Sequence, residues 1–143
     1  MKVNKNNFIK MQSLLETIKL LNSEKDVDSI LNTLMTKSLE LTPGGDMGAI
    51  FLMNKESGYL EVYASYGMGD AVKDVQLEPG ESMTGLAFSK KKTMFFKDSS
   101  SVQKAMGQLK NKNKELAVEA NVLAEEIQGS ICCPLVYKNE IIG

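Results

Sequence analysis

The stretch GAIFLMNKESGYLEVYASYG, residues 48–67, decides the fold because it holds two strand-like runs joined by a short turn. The first run, residues 47–54, is apolar and of strand length, and KESG supplies the turn. The second run, residues 59–66, alternates between two faces. One face carries Leu60, Val62 and Ala64, and the other carries Glu61, Tyr63 and Ser65. The pattern predicts a hairpin with one well-covered side.

Two amphipathic helices are predicted upstream of this hairpin. Over residues 7–21 the apolar side chains recur at three- and four-residue spacing, which places them on one helical stripe. The stripe consists of Phe8, Met11, Leu14, Leu15, Ile18 and Leu21. Asp26 can cap a second helix that runs to about Leu41, before the Pro43-Gly44-Gly45 break.

Downstream of the hairpin the sequence predicts a loop, a short helix and a third strand. Pro79-Gly80 turns the chain, and Glu81 or Ser82 can cap a helix over residues 83–89. Residues 93–97, TMFFK, are predicted to form the strand. The backbone at the start of this helix could hold an anion, but an ordinary helix cap is the simpler interpretation.

Residues 101–128 have the apolar spacing of a single long helix. Positions alternate in steps of four and three, which is a heptad seam that packs along another helix. The seam consists of Val102, Met106, Leu109, Asn113, Leu116, Ala120, Leu123 and Ile127. Asn113 falls at a core position, where a polar residue fixes register. A partner helix is either the N-terminal helix or a symmetry mate, and the predicted dimerisation residues are Met11, Ile18, Met106, Leu109, Asn113, Leu116 and Leu123.

The last stretch, GSICCPLVYKNEIIG, residues 129–143, predicts a late hairpin with a strand over 130–137 and a turn over 138–140. Cys132 and Cys133 are adjacent, so their side chains point to opposite faces and a disulfide between them would be strained. No basic residue nearby would lower the pKa of either thiol. Structural thiols are therefore favoured over redox chemistry.

Composition limits the functions that are open to this chain. Its 143 residues fit one domain, and a net charge of −1 favours neither nucleic acid nor an anionic membrane. The apolar runs are shorter than the ~20 residues of a membrane span, and we expect a cytoplasmic location. The sequence has no histidine, which removes the commonest general base and metal ligand. We predict neither a metal site nor a cofactor.

The order of these segments resembles a GAF domain, a small sensory module built on a central antiparallel sheet. The resemblance rests on residues 48–67, on LEPGESMTGLAFSKKKTMFFKD over residues 77–98, and on residues 129–143. It implies an α+β fold, GAF/PAS-like, with N-terminal helices on one face of the sheet and a short helix plus loops roofing the other. The expected organisation is one domain over residues 1–143, divided into 1–41 (helices), 47–100 (hairpin, short helix and strand), 101–128 (long helix) and 129–143 (late hairpin).

The family pattern continues with the rest of a strand and a long helix, so the resemblance implies a domain truncated before those elements. It also implies a bacterial regulatory protein in which the domain binds an unknown small molecule and passes the signal through dimeric helices to a covalently linked output domain. Two alternatives stay open. One is a ligand-free dimerisation module, and the other is a redox enzyme or sensor that works through Cys132 or Cys133.

Leu60, Val62 and Ala64 suit contact with the N-terminal helices, so the ligand is expected on the opposite sheet face, which carries Tyr63 and Ser65, with residues 83–89 as a roof. Phenylalanine side chains would supply apolar wall and hydroxyl groups a few polar anchors, as is typical of small-molecule sites. The predicted ligand-binding residues are Tyr63, Ser65, Met83, Thr84, Phe88, Phe95, Phe96 and Cys133. We expect no catalytic residue.

Overall fold

The structure, a computed structural model, describes residues 13–17 and 26–143. The chain divides into two compact units, and both strands of the first hairpin contribute to each. The first unit contains the described residues up to Ile50 together with Ala64–Gly67. The second contains Phe51–Tyr63 and Met68–Gly143. Of the helix predicted over 7–21, residues 13–17 are helical, while Met11 and Ile18 lie outside the described residues.

Helix α1, Val27–Leu41, belongs to the first unit and begins where the sequence predicts. The Asp26 carboxylate accepts hydrogen bonds from the Ser29 N–H at 2.9 Å and from the Ser29 hydroxyl at 2.8 Å, which confirms the predicted cap. Met35 is buried, and its sulfur lies 2.7 Å from where a Cβ at Gly48 would stand. The glycine therefore lets the helix side chain approach the strand backbone closely.

Strands β1, Gly48–Met53, and β2, Leu60–Tyr66, confirm the predicted hairpin. A third strand, β3, Gln76–Leu77, pairs antiparallel with β2 and places Leu60 opposite Leu77 and Glu61 opposite Gln76. The sheet order is β1-β2-β3. The strand β3 and the 3₁₀ helix before it, Asp70–Asp74, were not predicted from the sequence.

Helix α2, Ser82–Lys90, and strand β4, Met94–Phe96, confirm the predicted short helix and strand. β4 pairs antiparallel with β5, Ser130–Cys132. The strand predicted over 130–137 is divided, because Pro134 has no N–H to donate. Its second part forms β6, Val136–Tyr137, which pairs with β7, Glu140–Ile141. The Ile142 carbonyl then accepts the Met53 N–H at 2.8 Å, beside β1.

The single long helix predicted over residues 101–128 is wrong. The chain forms α3, Ser99–Met106, and α4, Asn111–Glu119, with an extended residue, Lys110, at the break. Gly107 weakens the helix at this point. The Lys110 N–H also donates to the Glu81 carboxylate at 2.8 Å, so it is not used in a helix.

Helix α4 ends well before residue 128 because Asn121 adopts a left-handed conformation, with φ +59°. The Asn121 N–H donates to the Val118 carbonyl at 3.0 Å, and the Val122 N–H donates to the Ala117 carbonyl at 2.8 Å. These two bonds are the Schellman pattern that closes a helix. Residues 121–129 contain no helix.

The predicted dimerisation seam does not form a continuous exposed face. Leu109 is 7% exposed and Asn113 is 4% exposed, and both are buried by the same chain. Met106 and Leu116 pack against that same core, and Leu123 is half-buried after the end of α4. The seven-residue spacing therefore reports core positions on two short helices, not a coiled coil.

Two apolar clusters fill the second unit. The larger one centres on Leu60, which is fully buried among side chains from the 3₁₀ helix, β3 and residues 109–122. The smaller one joins β4 and α3 and includes Phe96, Val102 and Ala105. The predicted α+β class with antiparallel strands is confirmed. Among the described residues, no helix is both long enough and apolar enough to cross a membrane.

The sequence assigned the faces of β2 incorrectly at Leu60 and Val62. We predicted that these side chains face the N-terminal helices, but they pack against Val72, Leu77 and Leu109. Because side chains alternate along a strand, Tyr63 then belongs to the opposite face. Alternation shows which residues share a face, but it does not show what covers that face.

Candidate functional site

A depression of about 510 Å³ lies beside β2, where this strand meets the 3₁₀ helix, β3 and the first half of α4. Its apolar floor is formed by Val62 and Leu116, which also pack against the larger core cluster. Its other lining residues are Glu61, Lys73, Asp74, Gln76 and Lys112. Two apolar and five polar or charged side chains therefore share one concave surface, which can contact both the apolar body and the polar groups of a small molecule.

Glu61 is held in place by three donors. Its carboxylate accepts hydrogen bonds from the Asn54 amide at 3.1 Å, the Ser57 hydroxyl at 3.0 Å and the Gln76 amide at 3.1 Å. These bonds, that of Asn54 foremost, lower the pKa of Glu61 below its ordinary value. The carboxylate is therefore charged at neutral pH and fixed in position.

The other charged groups of the depression differ in whether they already form an ion pair or hydrogen bond. The Lys73 ammonium forms an ion pair with Asp70 at 2.6 Å. The side chains of Asp74 and Lys112 are both exposed, and within the part of the chain that the structure describes neither forms a hydrogen bond or ion pair. One carboxylate and one ammonium group thus remain available to a ligand.

Next to the depression, Glu81 is buried with only 6% of its surface exposed. One carboxylate oxygen accepts the Lys110 N–H and the Asn113 amide, each at 2.8 Å, and the other accepts the Glu78 N–H at 3.0 Å. Burial on its own would raise the pKa of Glu81, but these hydrogen bonds outweigh it and hold the pKa below its ordinary value. The buried carboxylate is charged and saturated with donors.

Asn113 joins this carboxylate to the wall of the depression. Its amide also donates to the Gln76 carbonyl at 2.8 Å, and its oxygen accepts the Gln76 N–H at 3.4 Å. The Gln76 side chain in turn contacts Glu61. The start of α4 is therefore fixed to β3 and to the start of α2 by one continuous set of hydrogen bonds.

These observations correct two interpretations of the sequence. Glu81 does occupy the position before α2, but its side chain makes no bond that caps the helix and reaches Lys110 and Asn113 instead. Asn113 fixes no coiled-coil register, because its amide donates its hydrogen bonds to Glu81 and Gln76 of the same chain. Asn113 is the one polar residue in an otherwise apolar row, and this was the signal in the sequence that could have indicated a buried polar partner such as Glu81.

None of the eight residues predicted to bind ligand lines the depression, and their part in ligand binding stays a prediction. Phe88 packs against the larger core cluster, while Phe96 belongs to the smaller one and Met83 packs against it. Tyr63 is 46% exposed and Phe95 is 63% exposed. The remaining residues are half-buried, Ser65 and Thr84, or exposed, Cys133.

The residues of the depression itself were missed. The sequence places Glu61 on the polar face of β2 and predicts a loop over residues 67–74 that includes Lys73 and Asp74, while Gln76 is assigned to no helix or strand. Their polar, charged sequence carries no periodicity, so only the pairing of β3 with β2 reveals that they meet Glu61. Lys112 was hidden within the long helix that does not form.

The two adjacent thiols have different surroundings. Cys132 packs against the smaller core cluster, and its sulfur lies 3.7 Å from the Ser130 hydroxyl. Burial raises the pKa of the Cys132 thiol above its ordinary value. Cys133 is exposed. Burial outweighs the hydrogen bonds of Ser130 and Thr84, which act in the opposite direction, so the surroundings disfavour the thiolate that a redox enzyme would require at Cys132.

We expect iodoacetamide to alkylate Cys133 first and Cys132 only slowly, because the half-buried Cys132 thiol has a raised pKa and holds little thiolate at neutral pH. Peptide mapping by mass spectrometry over a time course measures both rates, and Cys133→Ser isolates the slower one. Urea should make the two rates similar. Faster alkylation of Cys132 in the folded protein would contradict this account and would support redox chemistry.

Comparison with known proteins identifies the fold. No family model matches the sequence, and no curated protein matches it. Among solved structures, the GAF domain of a phosphoenolpyruvate-protein phosphotransferase (ptsP) from Coxiella burnetii aligns with a TM-score of 0.75 and 15% identity, over 97% of this chain and 76% of that one.

Two other structures share the fold with different functions. The free methionine-R-sulfoxide reductase of Neisseria meningitidis, solved with its substrate, aligns with a TM-score of 0.67 and 16% identity, over 99% of this chain and 73% of that one. An NreA protein of Staphylococcus aureus, mutated in its nitrate binding site, aligns with a TM-score of 0.56 and 23% identity, over 82% of each chain. At these identities the likeness shows the fold alone, and the fold that the sequence predicts is confirmed.

Proposed function

We propose that this chain, which has the fold of a GAF domain, is a non-catalytic sensory domain that binds a small molecule in the depression beside β2. It does so as part of a cytosolic signalling or transcription-regulatory protein, and it transmits the binding to a covalently linked output domain. The observation that carries the proposal is the depression itself, with an apolar floor of Val62 and Leu116 and a charged rim.

The hydrogen bonds of Asn113 and Glu81 supply a means of transmission. A ligand in the depression contacts α4 through Lys112 and Leu116, and α4 is tied to β3 and to the start of α2. A ligand that favours one position of α4 therefore shifts the backbone at both places. The size of the response is limited by the difference in ligand affinity between the two positions.

A catalytic role through the cysteines receives less support. The Neisseria meningitidis protein is a reductase, but at 16% identity its activity does not extend to this chain. Cys132 is a half-buried thiol with a raised pKa, which suits a structural role. Cys133 does not line the depression.

A ligand-free dimerisation module is the second candidate, and one observation favours it. The sequence predicted a cavity between the sheet and the short helix, but core side chains, Phe88 of α2 among them, pack against Leu60 and its neighbours. A filled interior is what such a module requires. The depression borders this packed region through Val62 and Leu116, and it is the reason for preferring the sensory function.

The two candidates differ in their response to small molecules. A metabolite panel that includes nitrate, amino acids and nucleotides is screened by thermal shift, and hits are mapped by the backbone amide resonances of the ¹⁵N-labelled protein. A sensory domain gives a hit that moves resonances of Glu61, Val62 and α4 and leaves the β6–β7 hairpin unchanged. At a hundredfold excess over the dissociation constant, binding contributes about 2.7 kcal/mol of stability. No hit, together with a dimer in sedimentation, would support the dimerisation module instead.

A further inference from the structure

The charged groups of the depression are balanced, and this balance constrains what the depression can hold. Two carboxylates, Glu61 and Asp74, and two ammonium groups, Lys73 and Lys112, lie among its lining residues. The lining contains neither arginine nor an aromatic side chain. A nucleotide finds no ring to stack on here, and a multiply charged anion meets two carboxylates.

One group of each sign in the lining has no polar partner. Glu61 already accepts three hydrogen bonds, and Lys73 is paired with Asp70. Asp74 is the last residue of the 3₁₀ helix and Lys112 is the second residue of α4, and these two elements pack against each other. Between residues 26 and 143 neither of these two side chains has a polar partner.

Lys112 occupies an unfavourable place for a cation. It lies in the first turn of α4, where the helix dipole is positive and disfavours an ammonium group. A carboxylate bound at this point would be attracted by both the lysine and the helix terminus. The adjacent Asn113, which is buried and bonded to Gln76 and Glu81, keeps this turn fixed before any ligand arrives.

We infer that the depression binds a small zwitterion, a molecule with one carboxylate and one ammonium group on a short aliphatic body, such as a free aliphatic α-amino acid. Lys112 binds the carboxylate, Asp74 binds the ammonium group, and Val62 and Leu116 contact the aliphatic part. This inference rests on the proposed function and names the class of its ligand. Charge-assisted contacts at both ends would discriminate against molecules that carry only one of the charges.

The test uses the whole chain and matched probes. Aliphatic amino acids from glycine to isoleucine are titrated by thermal shift and calorimetry. Valine is compared with isovalerate, which lacks the ammonium group, and with isobutylamine, which lacks the carboxylate. We expect at least one amino acid to bind and its two singly charged analogues to bind at least about tenfold more weakly, since each loses a hydrogen bond to a charged group.

Two variants and a control locate the site. Asp74→Asn and Lys112→Gln should each weaken binding of the amino acid about tenfold. Both residues are exposed, so the unliganded melting temperature should stay nearly constant. Lys114→Gln, on the same helix and outside the lining, should bind as the unmodified chain does. Binding that survives both depression variants would overturn the inference.

The remaining outcomes separate the inference from the proposed function. If AMP or nitrate binds and moves the resonances of Glu61, Val62 and α4 while amino acids do not, the inference that the ligand is a zwitterion is wrong, and the proposed sensory function stands. If no probe moves these resonances, both are wrong. Equal binding of valine, isovalerate and isobutylamine would also contradict a zwitterionic ligand, because it would show that the ligand contacts only the apolar floor.

Discussion

Glu81→Ala should lower the free energy of unfolding by about 2 kcal/mol or more, because a buried donor left unsatisfied costs about 1–3 kcal/mol. Three donors lose their acceptor in this variant: the buried amide of Asn113 and the part-buried N–H groups of Glu78 and Lys110. Chemical denaturation monitored by circular dichroism measures the loss. The start of α4 should also become more accessible, so the Lys110 amide should exchange with deuterium much faster.

Glu78→Ala is the matched control. Glu78 forms an ion pair with the Lys110 ammonium at the surface, where both side chains are about half-exposed. Exposed pairs of this kind contribute about 0–1 kcal/mol. The two glutamates contact the same lysine residue, one at its side chain and one at its backbone, so the comparison separates surface charge from buried hydrogen bonds. Equal losses in the two variants would contradict the importance of the buried carboxylate.

The pH dependence of Glu81→Gln supplies a second check. The pKa of Glu81 is lower in the folded protein than the ordinary 4.5. Its charge therefore stabilises the fold fully above that ordinary value, and this contribution is lost as the pH falls through the lower pKa of the folded state. The stability difference between the unmodified chain and Glu81→Gln should shrink on acidification below pH 4.5. A difference independent of pH would show that the carboxylate is neutral.

Local signals in the sequence were sufficient for most elements of the fold. The alternation in β2, the cap at Asp26 and the turn at Pro79-Gly80 each depend on neighbouring residues, and the elements they delimit form as predicted. The long helix failed because two signals conflict within it. Its apolar spacing continues through Gly107 and Lys110, but the Lys110 N–H has a better acceptor in Glu81, which lies 29 positions earlier in the chain.

The candidate site was harder to predict because it depends on contacts between distant segments. Gln76 meets Glu61 through strand pairing, and Asn113 meets Gln76 across 37 positions. No period or motif marks such contacts in one sequence. The predicted ligand site had a local basis in the aromatic and hydroxyl residues near α2, but those aromatic residues Phe88 and Phe96 were needed for the core.

Gly85→Ala should cost about 2 kcal/mol or more, the scale of overpacking a rigid contact. A Cβ at this position of α2 would stand 2.5 Å from the Glu78 carbonyl oxygen and 3.0 Å from the Gly80 nitrogen. Both atoms belong to the backbone, so no side-chain rotation relieves the clash and α2 must move away from the turn before it. The Gly80 N–H would then lose its bond to the Gly85 carbonyl, which is 2.8 Å long.

Gly107→Ala is the control for Gly85→Ala, because Gly107 has a helical φ of −59°. The atom nearest to its Cβ position is the Gln103 carbonyl oxygen, at 3.2 Å. Alanine suits such a backbone and should change stability by less than about 1 kcal/mol. Movement of α2 in Gly85→Ala also displaces Glu81, so the Lys110 amide should exchange faster in this variant, as it does in Glu81→Ala. If Gly85→Ala loses stability while that amide stays protected, the clash is absorbed within α2 and the turn, and the start of α4 is held independently of them.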